Sequence, residues 1–137
     1  MSVKKSLSLV RRLIRSADGA TAVEFALVVP VFLTFCLGTF EFGRMLWVRN
    51  SLQTATEEAS RYAMTHTTAT DTQLVSQASS YFNSLGTGAA TFTIVRDTTN
   101  SVDFVTVNGA YSFRFMFPFL DYGTVNLAGK SRAPLIS

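Results

Sequence analysis

Residues 19–49 read GATAVEFALVVPVFLTFCLGTFEFGRMLWVR. The stretch from Phe25 to Phe40 contains no charged residue over sixteen positions. At about 1.5 Å per residue it covers roughly 24 Å as a helix, somewhat less than a hydrocarbon core of ~30 Å. A longer stretch, from Ala20 to Phe42, has the length of a full span and carries one carboxylate near each end. The sequence therefore predicts a transmembrane helix over residues 20–48.

The residues on either side of this span indicate its orientation and its ends. Glu41, Arg44, Trp47 and Arg49 follow the apolar run and are predicted at the outer membrane interface, where aromatic rings and long cations are typical. Glu41 and Arg44 are three residues apart and are expected to pair on the helix. Before the span, residues 1–19 hold five basic residues and one acidic residue, a net charge of +4. This excess predicts a cytoplasmic N-terminus.

Two further features of the N-terminal region bear on its interpretation. The apolar run is longer than a typical secretory h-region of about 7–15 residues, and no small-x-small cleavage site follows it. An ordinary secretory signal is therefore disfavoured. The Leu and Val residues of the basic tail are spaced as in a helix, which leaves two readings open, a short amphipathic helix on the membrane surface or a disordered leader.

Composition excludes several classes of function. The 137 residues carry a net charge of +3, yet the chain beyond the tail holds seven basic and eight acidic residues, so no basic face for nucleic acid is predicted. One Cys and one His exclude an internal disulfide, a cysteine zinc cluster and a multi-histidine metal site. No catalytic constellation is visible. We therefore expect no enzyme activity, cofactor, metal or small-molecule substrate.

Helical periodicity continues beyond the span. One long helix is predicted from about Ala20 to His66, with a kink at Pro30 because proline lacks an N–H and clashes with the preceding turn. The polar run over residues 67–71 predicts a break and a new N-cap, followed by a second helix from about Asp71 to Leu85. Apolar stripes mark one face of each helix: Leu52, Ala55, Ala59, Tyr62 and Ala63 in the first, and Leu74, Val75, Ala78, Tyr81 and Phe82 in the second.

From Ala90 the apolar period changes to two, which predicts β-strands. A turn is expected within residues 97–101, followed by a strand over Val102–Phe117 that Pro118 ends. Asn108-Gly109, inside that run, indicates either a hairpin turn or a bulge. A last strand is predicted over Thr124–Arg132.

The predicted fold class is therefore α+β, with three or four antiparallel strands in a small sheet. Tyr111, Phe113, Phe115 and Phe117 share one face of the long strand, and Phe119 follows them. The second helix and the amphipathic half of the first are expected to cover this aromatic face as core, rather than leaving it as an exposed adhesive patch.

The N-terminal region resembles that of TadE-like proteins, the minor pseudopilins of the tight-adherence (Flp, type IVc) pilus. The shared elements are a Gly before the span, a VEFAL-x-x-P-x-x-L start, an EFGR-type element and an amphipathic helix ending in E-x-A-R-x-A. Here they fall at Gly19, at 23–33, at 41–44 and at 58–63. Ser60 stands where the family usually has Gly, a mild departure because the residue stays small. The match covers about residues 19–63.

This resemblance implies how the chain is processed and used. A prepilin peptidase would cleave after Gly19, leaving Ala20 as the new N-terminus and residues 1–19 as the discarded leader. Glu24, Phe25 and Pro30 would then serve assembly, with Glu24 pairing to the free amine of a neighbouring subunit.

The implied protein is a single-pass component of the bacterial inner membrane with a pilin-like periplasmic head over residues 49–137. It would act in pilus assembly, initiation or adhesion, with the peptidase and other pilins or pseudopilins as partners, and it is expected to enter a surface pilus or remain in the membrane. Two alternatives remain. An uncleaved anchor with a small periplasmic binding domain needs the span but neither Gly19 nor Glu24. A membrane-tethered enzyme needs a catalytic constellation.

Overall fold

The computed structural model of the chain describes residues 17–117 and 123–135. It confirms the α+β class and contains two helices and a three-stranded antiparallel sheet in these ranges. The predictions for the basic tail and for Pro118 and Phe119 lie outside the described residues. The elements in chain order are α1 (Ala17–Thr65), α2 (Asp71–Ser84), β1 (Thr91–Thr99), β2 (Val102–Arg114) and β3 (Thr124–Leu135).

The chain divides into two compact units, one ending at Phe40 and the other running from Glu41 to Ser137. We call the second unit the head. The boundary lies within α1, so residues 41–48 belong to the head as well as to the predicted span. Whether these residues also lie in a membrane stays a prediction.

Helix α1 is continuous for 49 residues, as the long apolar and amphipathic pattern predicts. The helix continues through Pro30 without interruption. The predicted kink there stays a prediction. Thr34 and Thr39 donate their hydroxyls to the carbonyls four residues earlier, at 2.8 and 2.9 Å. These bonds satisfy two polar groups inside an apolar helix, which matters where water is absent.

Helix α2 starts at the predicted break. The Thr70 hydroxyl accepts a hydrogen bond from the Gln73 N–H, and the Gln73 side chain accepts one from the Thr70 N–H, which together form a capping box. Asp71 in the first turn also favours this end of the helix dipole. The helix ends at Ser84, one residue before the predicted end.

The sheet is a simple meander in the order β1-β2-β3. The β1–β2 connection is the two-residue turn Asn100-Ser101, and both residues have positive φ, 52° and 63°. Two positive φ values are the signature of a type I′ turn, whose twist matches that of antiparallel strands. The turn lies within the predicted range, and β3 continues three residues beyond its predicted end to Leu135.

The prediction of a turn or bulge at Asn108-Gly109 is wrong. Both residues sit inside β2 in unbroken register, with Gly109 opposite Phe92 on one side and Gly129 on the other. A Cβ at Gly109 would lie 2.9 Å from a methyl of Leu52 and 2.9 Å from the ring of Phe92. Glycine therefore allows close packing here, because a Cβ would force side chains of α1 and β1 to shift.

Strand β2 ends at Arg114, three residues before its predicted end at Phe117. The ladder stops because helix side chains take over the backbone groups that follow: Arg44 bonds the Arg114 carbonyl and Glu41 accepts from the Met116 N–H.

The helices cover the aromatic face of the sheet, as predicted. The apolar stripe of α1 is buried over Leu52, Ala55, Ala59 and Ala63, and Tyr62 is half-buried. Phe113 is fully buried, while Tyr111 and Phe115 pack partly against the same core. The core residues from all elements are Val48, Leu52, Ala55, Ala59, Ala78, Phe82, Phe92, Val107, Phe113 and Leu127, with a smaller cluster of Ala63, Ala69, Leu74, Val105 and Ala133.

Candidate functional site

The predicted processing and assembly residues lie at the start of α1. The helix begins at Ala17, so Gly19 and Ala20 are in its first turn rather than in an extended segment. Glycine in a helix is about 1 kcal/mol less favourable than alanine, so Gly19 makes this first turn less stable than an alanine would. Glu24 and Phe25 follow within the next two turns, and both are exposed.

The apolar residues that follow are exposed all around this part of α1. Phe25, Val31 and Phe35 are among the most exposed large apolar side chains of the chain. Pro30 lines a shallow apolar groove with Val31, Thr34 and Phe35. A helix that is apolar on all faces suits hydrocarbon or other helices rather than water. Among the described residues, α1 is the helix that is long and apolar enough to cross a membrane, with a mean hydropathy of 2.1 in its most apolar window.

The two predicted interface residues Glu41 and Arg44 do pair, with the Arg44 guanidinium 2.8 Å from the Glu41 carboxylate. Glu41 is only 1% exposed, although the sequence places its carboxylate within reach of water or headgroups. Its other oxygen accepts the Met116 N–H at 3.2 Å. The pair is thus part of the head core, and its position at a membrane surface stays a prediction.

Arg44 extends this contact across the end of the sheet. Its Nη2 also donates to the Arg114 carbonyl at 2.6 Å, and its guanidinium lies 4.2 Å from the centre of the Phe113 ring. Its Nε is buried without a hydrogen-bond partner among the described residues. We call Glu41, Arg44, Phe113, Arg114 and Met116 the helix–sheet clamp.

Trp47 and Arg49 take no part in this clamp. Trp47 is 58% exposed, and Arg49 is exposed on the same turn of α1. Both are therefore free to contact lipid or another protein, which is compatible with their predicted place at an interface.

A second contact between α1 and the sheet was not predicted. The side-chain amide of Gln53 accepts from the Lys130 N–H and donates to the Lys130 carbonyl, each at 3.1 Å. Strand β3 is an edge strand, and this amide pairs with its open side as another strand would. A glutamine on a helix gives no sequence signal for such a role.

At the other end of the sheet, ion pairs connect β1 to the start of α2 and to β3. Arg96 contacts the Asp71 carboxylate at 2.8 Å and the Ala69 carbonyl at 2.7 Å, which holds the start of α2. Arg132 on β3 pairs with Asp97 on β1, across the central strand β2. A cavity of about 440 Å³ lies here, lined by Thr67, Arg96, Asp97, Thr98, Asp103, Phe104 and Leu135. Two of the charged lining residues already have partners, since Arg96 pairs with Asp71 and Asp97 pairs with Arg132. The sequence analysis did not predict this cavity.

The residues best suited to chemistry do not converge. Cys36 is exposed on the apolar part of α1. His66 stacks on the Tyr62 ring at 4.1 Å just after the end of α1. Within residues 17–117 and 123–135, no group of three His, Cys, Asp or Glu side chains is placed to hold a metal ion.

The fold and these contacts define a class of protein, one with an apolar helix long enough to span a membrane that continues into a small α+β head. Residues 19–71 match the family model described as TadE-like protein, which confirms the resemblance and extends it eight residues beyond the motifs. This region of the chain is similar to TadE-like proteins, and the similarity suggests a role connected with the tight-adherence pilus and its other components. No curated protein and no solved structure is significantly similar to the chain.

Proposed function

We propose that this protein is a minor pseudopilin of a tight-adherence type IVc pilus, processed by a prepilin peptidase after Gly19. It acts in pilus assembly, initiation or adhesion through helix–helix packing, without catalytic activity of its own. The observation that carries the proposal is the TadE-like match, which begins at Gly19 and includes Glu24, the whole apolar run and the first part of the head.

Processing at Gly19 leaves a functional anchor. Cleavage there removes the basic leader and retains the apolar helix, whereas ordinary secretion discards the apolar segment. The +4 charge of the leader supports a cytoplasmic cleavage site, an inner-membrane span and a periplasmic head. The new N-terminus at Ala20 carries a free amine four residues before Glu24.

Glu24 is the residue through which assembly becomes specific. It is exposed, and none of the described residues forms an ion pair with its carboxylate. A charged side chain in the middle of a membrane helix costs roughly 2.5–3.5 kcal/mol on insertion scales. Two opposite charges about 4 Å apart attract by roughly 4 kcal/mol at an effective dielectric constant near 20. A neighbouring subunit's amine therefore offsets the cost and sets the register between helices.

The first test is N-terminal sequencing and intact mass of the protein extracted from membranes of its native host. We expect a chain that starts at Ala20. A Gly19→Val variant is the control, because a branched side chain at this position blocks close approach of a protease and should leave Met1 in place. If the unchanged chain also keeps Met1 in the presence of the peptidase, the protein is an uncleaved anchor with a periplasmic binding domain.

A further inference from the structure

We propose that the base of the head is a membrane-docking surface that rests in the phospholipid headgroup layer. The base of the head comprises the exposed apolar residues Phe42, Leu46, Trp47 and Met116 and the exposed cations Arg49 and Arg114. This inference rests on the membrane span and is independent of cleavage at Gly19 and of a place in the pilus.

The uncharged run of α1 is shorter than the thickness of a typical hydrocarbon core. The uncharged run of α1 covers roughly 24 Å, about 6 Å less than a typical hydrocarbon core. Glu41 follows directly on that run, and the helix rises about another 9 Å from Glu41 to Trp47, which are six positions apart. The first turns of the head therefore complete the span and enter the interfacial layer.

The Glu41 carboxylate lies inside the head rather than on its surface. An open carboxylate at this depth would be costly, but this one is buried and neutralised by Arg44 at 2.8 Å. Phe42 and Leu46, by contrast, are 56% and 39% exposed, one turn apart on the same flank of α1. Trp47 points to another flank, about 140° from Phe42 at 3.6 residues per turn. The charge is thus turned inward and the apolar groups are turned outward.

Met116, just after the end of β2, extends the base of the head on the side of the sheet. The Met116 N–H bonds the Glu41 carboxylate, which holds Met116 at the level of the first head residue. Its side chain is 65% exposed, so the sheet side of the base is apolar as well. Arg49 and Arg114 are suitably placed cations for lipid phosphates, since long basic side chains favour this layer. The partner is therefore a phospholipid surface, contacted around the helix and under the end of β2.

The experiment uses full-length protein in vesicles of phosphatidylcholine and phosphatidylglycerol that contain a lipid with a nitroxide near its headgroup. A fluorophore is attached at Met116→Cys, just beyond the end of β2, or, as the control, at Val102→Cys, the first residue of β2, each in a Cys36→Ser background. Val102 is exposed and fourteen residues away along the chain. We expect the nitroxide lipid to quench the label at 116 several-fold more than the label at 102. Aqueous iodide should show the opposite preference.

Two further fluorescence measurements serve as controls for this test. Trp47 is the only tryptophan, so its own emission reports the base without any substitution and should be quenched by the same lipid. A label on the native Cys36 should be quenched by a nitroxide deep in the acyl chains. If Cys36 is quenched while positions 116 and 102 behave alike, the docking surface is disproved and the span stands. If Cys36 is not quenched either, both the docking surface and the membrane span are disproved.

Discussion

Gly109 occupies the point where α1, β1 and β2 are packed most closely. A Cβ there would stand 2.9 Å from Leu52 and Phe92 and 3.1 Å from the Thr56 methyl. Three side chains from two other elements would have to move together. At Gly43 on α1, a Cβ would meet nothing within 4 Å. The two glycines therefore differ in their surroundings.

We expect Gly109→Ala to lower the free energy of unfolding by about 1–3 kcal/mol, the usual cost of overpacking a filled core. Gly43→Ala is the control and should be neutral or stabilising by up to about 1 kcal/mol, because alanine is the better helix former. Thermal unfolding in detergent, followed by circular dichroism, measures both. A Gly109→Ala protein as stable as the Gly43→Ala protein would disprove the close-packing role.

Glu41 is the other single residue with a large structural effect. Its carboxylate is buried and contacts Arg44 and the Met116 N–H, so it connects the first head residue to the end of β2. Removing it would leave a guanidinium and a backbone donor without their partner. The cost of such a loss is greater than that of an exposed ion pair.

We expect Glu41→Ala to lower the free energy of unfolding by about 1.5–3 kcal/mol, as for hydrogen bonds to a charged group. Glu58→Ala is the matched control, because Glu58 is exposed on the same helix and should change stability by no more than about 0.5 kcal/mol. Denaturant unfolding monitored by Trp47 fluorescence compares them. Equal stability of the two variants would mean that the clamp does not hold the head together.

At the scale of elements, each junction of the head has its own polar contact. The α2 start has a capping box and the Arg96–Asp71 pair. On the open side of β3, the Gln53 side-chain amide bonds the Lys130 backbone. The α1 backbone also passes close to Gly129 there. These contacts satisfy backbone groups that a short helix or an edge strand would otherwise expose.

We expect Thr70→Ala to destabilise the head by about 1 kcal/mol, since it removes the hydroxyl that caps the Gln73 N–H. Thr72→Ala is the control: Thr72 is exposed inside the helix, where alanine is the better helix former. The same unfolding measurement applies. If Thr72→Ala costs as much as Thr70→Ala, the effect comes from losing a threonine in general and not from the cap.

At the scale of the whole molecule, one chain combines an apolar helix with a small folded head. The apolar part exposes its large side chains, whereas the head buries its apolar stripe against the sheet. The apolar part of α1 suits contact with lipid or with other helices, and the head, with its buried core, suits water. Assembly with other subunits, in our proposal, takes place through the first part and depends on Glu24.

We expect Glu24→Gln to insert normally, to be cleaved largely normally and to associate poorly with partner subunits. Glutamine keeps the shape but removes the charge that attracts the neighbouring amine, and it also costs less to insert. The net loss should exceed about tenfold in association, measured by co-purification and by pilus yield. Glu58→Gln, which changes an exposed carboxylate of the head, should leave assembly unchanged. Full pilus assembly by the Glu24→Gln protein would exclude the pairing.

Much of the fold follows from periodicity alone. The extent of α1, the break near Thr70, the place of the β1–β2 turn and the aromatic face of β2 all follow from local patterns of apolar, polar and turn residues. The roles expected of Gly19 and Glu24 come from the resemblance to TadE-like proteins and stay predictions.

Only the tertiary structure decides the contacts that join distant segments. Glu41 has the same sequence context whether it faces headgroups or the sheet, and its burial depends on Met116, 75 residues later. Asn108-Gly109 has the local chemistry of a turn, yet Leu52 of the distant helix makes Gly109 a packing residue. The sequence by itself determined most of the helices and strands, including the long apolar helix, because their free energy depends on near neighbours. The clamp, the edge pairing at Lys130 and the close-packed glycine depend on which surfaces meet.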